Sequence, residues 1–390
     1  MSTRKVAAFL VDRANYGRLL PVLERLRDDP RFELTLVLGG SFILERFGCP
    51  FEMLKGDRLT PREGVAHEYV FHEVEGDRVV SKALSIGLGV MGYAQALERT
   101  GSDWAIVIGD RFEGLAAATA AIYTGRTLVH FQGGEVSGTL DELARHAITK
   151  LAHYHVPATE QAAENIFRMG EQAGAILTVG CPSSDLARTV TTRGRLVGHR
   201  DALVMFHPDP GFFDAGEQLQ ELLAALKRFS WSRLRVWWPN IDAGSWSIHR
   251  ELRRFREESE IVETITHLHP RRFLDALANC NIAIGNSSSF VRDAGYFGTP
   301  VVLVGDRQYG RECGDHVRRT VASELPIATA IAQQLNHGPY PPSQLYGDGD
   351  VAARFVEALA TVPRLHQTRL QYSHHQGGSR ENTPSADKAA

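Results

Sequence analysis

Short apolar runs, each closed by a polar residue or glycine, alternate along this chain with longer stretches in which apolar residues recur at helical spacing. The run Val6–Val11, a helical pattern around Leu19–Leu26 and a second run at Leu34–Leu38 predict a βαβ opening. Between Phe47 and Arg78 the pattern breaks into charged, irregular sequence, which reads as a long mobile connection. The alternation resumes with Trp104–Ile108, the alanine-rich Leu115–Tyr123, Thr127–Phe131, the amphipathic Asp141–His153, Tyr154–Pro157 and Ile176–Val179. An arginine-rich stretch near the midpoint, Arg188–Arg200, has no period and is the expected hinge. After it come Ala202–Phe206, a helix over Gly216–Phe229, Leu234–Trp238, a helix over Ser247–Glu257 and Ile261–Ile265. A helix over Arg271–Asn279, Asn281–Ile284, a helix over Phe290–Tyr296 and Val301–Val304 complete the series. Strands that read as continuous apolar runs are buried on both faces, as in a parallel sheet covered by helices. The predicted fold is therefore α/β, with two Rossmann-like doubly wound domains, residues 1–187 and 188–366, and a cleft between them. The polar tail, 367–390, is rich in turn residues and expected to be disordered, with His374 and His375 solvated.

Length and composition agree with this division. A chain of 390 residues fits two domains, and 43% hydrophobic with 23% charged residues is an ordinary globular balance. Lys plus Arg at 43 against Asp plus Glu at 46 leaves a net charge of −3, without the positive field used to bind nucleic acid or acidic membranes. Neither partner is expected. The four cysteines, Cys49, Cys181, Cys280 and Cys313, form no CxxC pair and suit a reducing compartment. No apolar run has the length of a membrane span or a signal-peptide core, so a cytoplasmic protein is expected.

In open parallel sheets ligands bind beyond the carboxyl ends of the strands, so the residues leaving each strand are the candidates. In the first half these are Asp12-Arg13, Gly109-Asp110-Arg111, and His130, Gln132 and Glu135. In the second they are His207-Pro208, Pro239-Asn240, Gly285-Asn286-Ser287-Ser288-Ser289 and Gly305-Asp306-Arg307. The glycine-asparagine-serine run follows a strand and opens a helix, where free amides can hold a phosphate; an ordinary serine cap is the plainer alternative. Asp293, on that helix, can accept from ribose hydroxyls. Gly-Asp-Arg occurs at 56, 76, 109 and 305, and only the last two follow apolar runs. Asp110-Arg111 reads equally as a structural ion pair or as a carboxylate beside a phosphate-binding arginine. His153 with His155, and His267 with His269, read as strand neighbours rather than metal ligands, and Trp237-Trp238 as packing. No metal site is expected. The absence of GxSxG and P-loop motifs, and of a GxGxxG after the first strand, argues against an α/β-hydrolase, a P-loop kinase and a classical NAD enzyme.

The strings GDRFEGLAAATAA, HFQGGEVSGTLDELARHAITKLAHYHV, VGCPSSD, FHP, PNIDAGS, IGNSSSFVRDAGYFGTPVVLVGDRQYGRECGDHV and LYGDG, in that order, resemble the hydrolysing UDP-N-acetylglucosamine 2-epimerases. The resemblance extends to the epimerase domain of the animal bifunctional epimerase/kinase. It implies a GT-B-like fold and a stand-alone, bacterial-type enzyme. The implied reaction is anti elimination of UDP from UDP-N-acetylglucosamine, then syn hydration to free N-acetylmannosamine, a sialic acid precursor. No cofactor is implied, and a homodimer or homotetramer is usual. By matched position, Asp110 and Asp141 are acid/base residues, His207 lies near the diphosphate, and Gln132 and Glu135 stand in the catalytic segment. Arg13, Arg111, Asn240, Ser287, Ser288, Asp293 and Arg307 fall on nucleotide- and phosphate-binding positions, and Arg250 and Arg253 where animal enzymes bind the inhibitor CMP-sialic acid.

Two positions depart from the family pattern. Gln132 replaces a catalytic glutamate, and Asn15 replaces the aspartate of an early Arg-Ala-Asp-Tyr motif. Either Asp110, Glu113, Asp141 or Glu142 then carries the proton transfer, or the outcome changes. The alternatives are simple hydrolysis, another NDP-sugar such as a diacetamido sugar, glycosyl transfer, or a catalytically silent UDP-sugar binding protein.

Overall fold

The computed structural model describes residues 3–47, 50–76, 78–193, 199–208 and 215–368. Its strands form two six-stranded sheets, with every pairing parallel. The first contains β1 (Arg4–Leu10), β2 (Phe32–Gly39), β3 (Ala66–Val70), β4 (Trp104–Ile108), β5 (Thr127–Phe131) and β6 (Tyr154–Val156), in the order β3-β2-β1-β4-β5-β6. The second contains β7 (Asp201–Met205), β8 (Arg233–Trp237), β9 (Val262–Ile265), β10 (Ile282–Gly285), β11 (Val301–Val304) and β12 (Val317–Thr320), in the order β12-β11-β10-β7-β8-β9. Each is the Rossmann order, and each reverses direction once, between β1 and β4 and between β7 and β10. These two switch points are where such sheets open a crevice for ligand.

Three buried clusters explain why the layers stack as they do. One fills the space between the halves, joining Leu10, Leu20 and Phe131 to Leu203, Trp237 and Phe290. The others lie under the outer helices, around Phe9, Tyr93 and Ala117 in the first half and around Val204, Leu222 and Ile331 in the second. The last helix, Val351–Thr361, crosses back to the first sheet, where Phe355 packs edge-on to Phe131 with ring centroids 4.5 Å apart. Leu365 then exchanges hydrogen bonds with the Thr127 hydroxyl at 2.8 and 3.1 Å.

Several elements differ from the sequence pattern. The expected long connection contains a short helix, Pro50–Gly56, and the edge strand β3, whose polar sequence AHEYV hides it. The 22-residue helix Val79–Thr100 carries apolar residues on two faces, so no single stripe marks it. The expected strand Ile176–Val179 reduces to one bridge, from Ile176 to His155. The apolar pattern does not predict β12, with its two exposed arginines, or the helices Glu160–Arg168, Glu324–His337 and Val351–Thr361. The expected disordered tail lies outside the described residues from 369 onward, and the hinge stretch does so over 194–198.

Candidate active site

Both switch points open toward one cleft. From the first sheet, β1 delivers Asp12, whose side chain caps the helix Arg13–Asp28 by accepting from the Asn15 amide at 2.6 Å. The first turns of that helix place Arg13 and Arg18 in the cleft. The Arg13 guanidinium donates to Asn240 Oδ1 at 3.0 Å and to the Thr266 carbonyl. Arg18 donates to Gln132 Oε1 at 3.2 Å and to Ser288 Oγ at 2.7 Å. Burial lowers both arginines to about 10, which leaves them charged at neutral pH.

From the second sheet, β10 ends at Gly285, whose φ of 139° and contact with the Met205 carbonyl leave no room for a Cβ. The chain can then run close to β7 before turning into the helix Ser288–Tyr296, with Ser287 as its cap. Asn286 clips the segment after β7, accepting from the His207 amide and donating to its carbonyl, both at 2.8 Å. Burial, then Arg307, pushes His207 down to about 3, so the ring is neutral. Its Nδ1 is buried and has no hydrogen-bond partner among the described residues. Asp293 accepts from Ser183 Oγ at 2.7 Å. Arg13, Arg18, His207, Ser287 and Asp293 line one cavity of about 140 Å³ with the apolar surfaces of Met205, Trp237, Phe273 and Leu274. A helix N-terminus, cations and an apolar wall together can hold a phosphorylated nucleoside.

The acidic residues of the first half have separate fates. Asp110 is engaged by Arg145; burial opposes its ionisation, but Arg145, Arg311 and Arg292 outweigh burial and hold it well below the usual carboxylate range. Asp141, on the first turn of the helix Leu140–Leu151, is pushed up to about 6 by burial and by the Asp110 and Asp242 carboxylates. Arg307 stands 3.9 Å from it. This carboxyl changes charge near neutral pH, as a general acid or base requires. Glu135 sits between Arg292 and Arg311 as a buried ion pair joining the halves. Glu113 is gripped by Arg111 through two hydrogen bonds of 3.0 and 2.8 Å. Glu142 accepts from the Ser137 and Gly138 amides, both at 2.6 Å. Arg111, expected on phosphate, has its remaining Nη1 on Asp242 at 2.6 Å.

The two amides differ in kind. Asn15 is buried backbone mortar: it accepts from the Val11 amide and donates to the Ile108 carbonyl, both at 3.4 Å, tying the ends of β1 and β4. Gln132, buried beside Arg18, has a φ of 61° and donates to Cys181 Sγ at 2.9 Å while accepting from Arg18. Two cleft residues that the sequence pattern does not single out are Arg18, a turn into its helix, and Asp242, deep in the loop after β8. Their signal was positional only, since both lie on connections leaving the carboxyl edge.

Arg250 and Arg253 line a second cavity of about 700 Å³ with Arg13, Phe47, Trp238 and Trp246. His153 Nδ1 accepts from the Leu128 amide at 2.9 Å, and His269 caps the helix Pro270–Asn279. His155 lies 3.4 Å from Glu171. Among the described residues no group of three or more His, Cys, Asp or Glu is placed to hold a metal ion, and no helix is long and apolar enough to cross a membrane.

Comparison with known proteins gives a consistent result. Residues 24–360 match the family model for UDP-N-acetylglucosamine 2-epimerase. The chain is 32% identical over 377 residues to a UDP-N,N'-diacetylbacillosamine 2-epimerase (hydrolyzing) of Legionella pneumophila, covering 94% of this chain and 98% of that one. It is 27% identical over 368 residues to a UDP-N-acetylglucosamine 2-epimerase of Neisseria meningitidis, covering 91% and 95%. Among solved structures, the Methanocaldococcus jannaschii UDP-GlcNAc 2-epimerase in complex with UDP-GlcNAc and UDP superposes with a TM-score of 0.75 at 14% identity, covering 91% of this chain and 99% of that one. That likeness carries the GT-B-like fold.

Proposed function

Because the chain belongs to the UDP-N-acetylglucosamine 2-epimerase family, we propose that it is a hydrolysing 2-epimerase that converts UDP-N-acetylglucosamine to UDP and free N-acetylmannosamine. The observation that carries this reading is Asp141, a carboxyl pushed up to about 6 and standing 3.9 Å from Arg307 of the other half, across the cleft. In the first step a base removes the C2 proton; the C2–H electrons become the C1=C2 bond as the C1–O bond to UDP breaks. In the second, water adds syn: hydroxide goes to C1 and a proton to C2 on one face, the face opposite to that from which the first proton left. We assign removal of the C2 proton in the first step to Asp141 and a stabilising, ionised role to Asp110. Arg13, Arg18 and Arg307 are assigned to the departing diphosphate, with neutral His207 as a hydrogen-bond partner. Ser287, Ser288, Asp293 and Asn240 would hold the nucleotide, Asp293 through the ribose. Gln132 orients Arg18, and Glu135 holds the halves together. No cofactor enters either step.

A second reading has its own support: the 32% identity to a relative named for UDP-N,N'-diacetylbacillosamine favours a diacetamido sugar as substrate. The test is to incubate the protein in D2O with each UDP-sugar and follow the anomeric protons by NMR. Free 2-epimer carrying deuterium at C2 supports the proposal and identifies the sugar. Free sugar of unchanged configuration retaining its C2 proton means hydrolysis alone, and UDP binding without release means a silent binding protein.

The proposal includes a division of the chain at 187/188 and a cytoplasmic setting, which free Cys181, Cys280 and Cys313 suit. It also includes a homo-oligomer. Val80, Leu84, Leu88 and Met91, each at least half exposed, form an uncharged stripe along the helix Val79–Thr100 that a second copy could cover. Light scattering would measure the mass. Inhibition by CMP-sialic acid would support regulation at Arg250 and Arg253.

A further inference from the structure

Asp242 enters the site from the loop after β8, and everything it holds belongs to the other half. Its Oδ1 accepts from Arg111 Nη1 at 2.6 Å and from Lys82 Nζ at 3.5 Å. The residue is 3% exposed, and Oδ2 is buried with no hydrogen-bond partner among the described residues. Glu113 occupies the rest of the Arg111 guanidinium, and Asp12 lies 3.8 Å from its Nε. Beyond Glu113 is Glu73, pushed up to about 8 by burial and by Glu113, and so uncharged at neutral pH. Two cations, Arg111 and Lys82, therefore answer three carboxylates, Asp12, Glu113 and Asp242, with Oδ2 of Asp242 left unspent.

We propose that Asp242 is a positioning residue for the reaction, clasping Arg111 and Lys82 across the cleft and setting a fixed negative charge beside Asp141 when the two halves are closed. This rests on the acid/base role proposed for Asp141. The clasp joins the two halves across the cleft in which the nucleotide sugar is proposed to bind. Parting them breaks the clasp and takes the charge away from Asp141. Closure restores both together, so the base reaches its working strength in the enclosed site.

The charged groups facing Asp141 are Asp110 and Arg111 after β4, Asp242 after β8 and Arg307 after β11, with Glu142 and Arg145 on its own helix. Asp242 itself faces Arg111, Lys82, Arg307 and His207. Replacing Asp242 by asparagine keeps its shape, removes the charge and releases the cations. Both effects, the lost charge and the released cations, act in one direction, toward easier ionisation of Asp141.

The experiment is a carbon-13 carboxyl titration of Asp-labelled full-length protein with UDP bound, the Asp141 signal being the one lost in Asp141→Asn. In Asp242→Asn the Asp141 midpoint should fall by roughly half to one pH unit, the size of one charge felt across several ångströms at an effective dielectric near 20 or above. The acid limb of kcat should move with it. Asp242→Glu, which keeps the charge, should leave the midpoint within about 0.3 unit. Lys82→Gln loosens the clasp but removes a positive charge, so it should not lower the midpoint. An unmoved midpoint in Asp242→Asn, or an equal fall in Lys82→Gln, overturns the proposal. The titration needs no turnover, so a protein that binds UDP but epimerises nothing would defeat the proposed function and leave this result readable.

Discussion

The two sheets share one strand order and differ in what hangs from it. Along the first rim the charged side chains are tied down: Asp110 on Arg145, Glu113 on Arg111, Glu135 on Arg292 and Arg311. The second rim presents a neutral histidine, a serine-capped helix and apolar wall, with Asp242 as the acid that reaches across. Strand order decides where a ligand can sit, and the loops decide what happens to it. Within the first rim Asp141 stands apart, because Arg307 comes no closer than 3.9 Å while two carboxylates press on it.

Removing that exception should have the largest effect. Asp141→Asn is expected to lower kcat by about 10²–10⁴-fold, the usual weight of a general acid or base, while UDP binds within about twofold of wild type. UDP release and calorimetric titration with UDP check the two halves of this statement. The sign of the pH dependence follows. As a base Asp141 must be ionised, so wild-type kcat should rise through about pH 6 and level off above it. A fall over that range would make Asp141 the acid instead, and a rate within tenfold of wild type in Asp141→Asn would end the division of labour between the rims.

Glu135→Gln tests the opposite kind of acid. It strands two buried guanidiniums, which should cost about 3–5 kcal/mol of stability, because Glu135 is their shared carboxylate. Thermal unfolding measures the loss, and kcat measured well below the transition should survive it. Arg18→Met acts on the second rim's ligand instead. Losing its charge-assisted hydrogen bonds should weaken UDP binding by about 1.5–3 kcal/mol with a smaller change in stability.

How far the sequence reached follows the same division. Strands buried on both faces read clearly as apolar runs, such as Trp104–Ile108 and Val301–Val304. Two of the four edge strands did not: AHEYV buries one of its five positions and VRRT none of its four, so both look like loop. The helix Val79–Thr100 was hidden because Tyr93 and Leu97 face the core while Leu84, Leu88 and Met91 face solvent. At the site, residues leaving a strand could be located from the pattern, since the chain direction fixes them. Which of those charges remain free could not, because Arg111 is consumed by Asp242, 131 positions away, and Glu135 by arginines of the other half. Pairing across a cleft is a tertiary fact with no local signature.

The smallest expected effect concerns Asn15, which the family pattern sets near the reaction centre and the structure sets in the backbone between β1 and β4. An amide suits that place because it accepts from the Val11 amide and donates to the Ile108 carbonyl at once. Asn15→Asp keeps the first bond and turns an ionised oxygen toward the second carbonyl, at a cost of about 1 kcal/mol. Burial raises such a carboxyl above its unfolded value, so the folded state binds more protons than the unfolded one between the two values. The variant's deficit should therefore shrink as pH falls and be largest at neutral pH. Denaturant unfolding at pH 4 and pH 7.5 measures that difference, with kcat expected to stay within about threefold of wild type. A tenfold rise in kcat would instead place Asn15 at the reacting atoms and make the first rim's chemistry depend on two positions rather than on Asp141 alone.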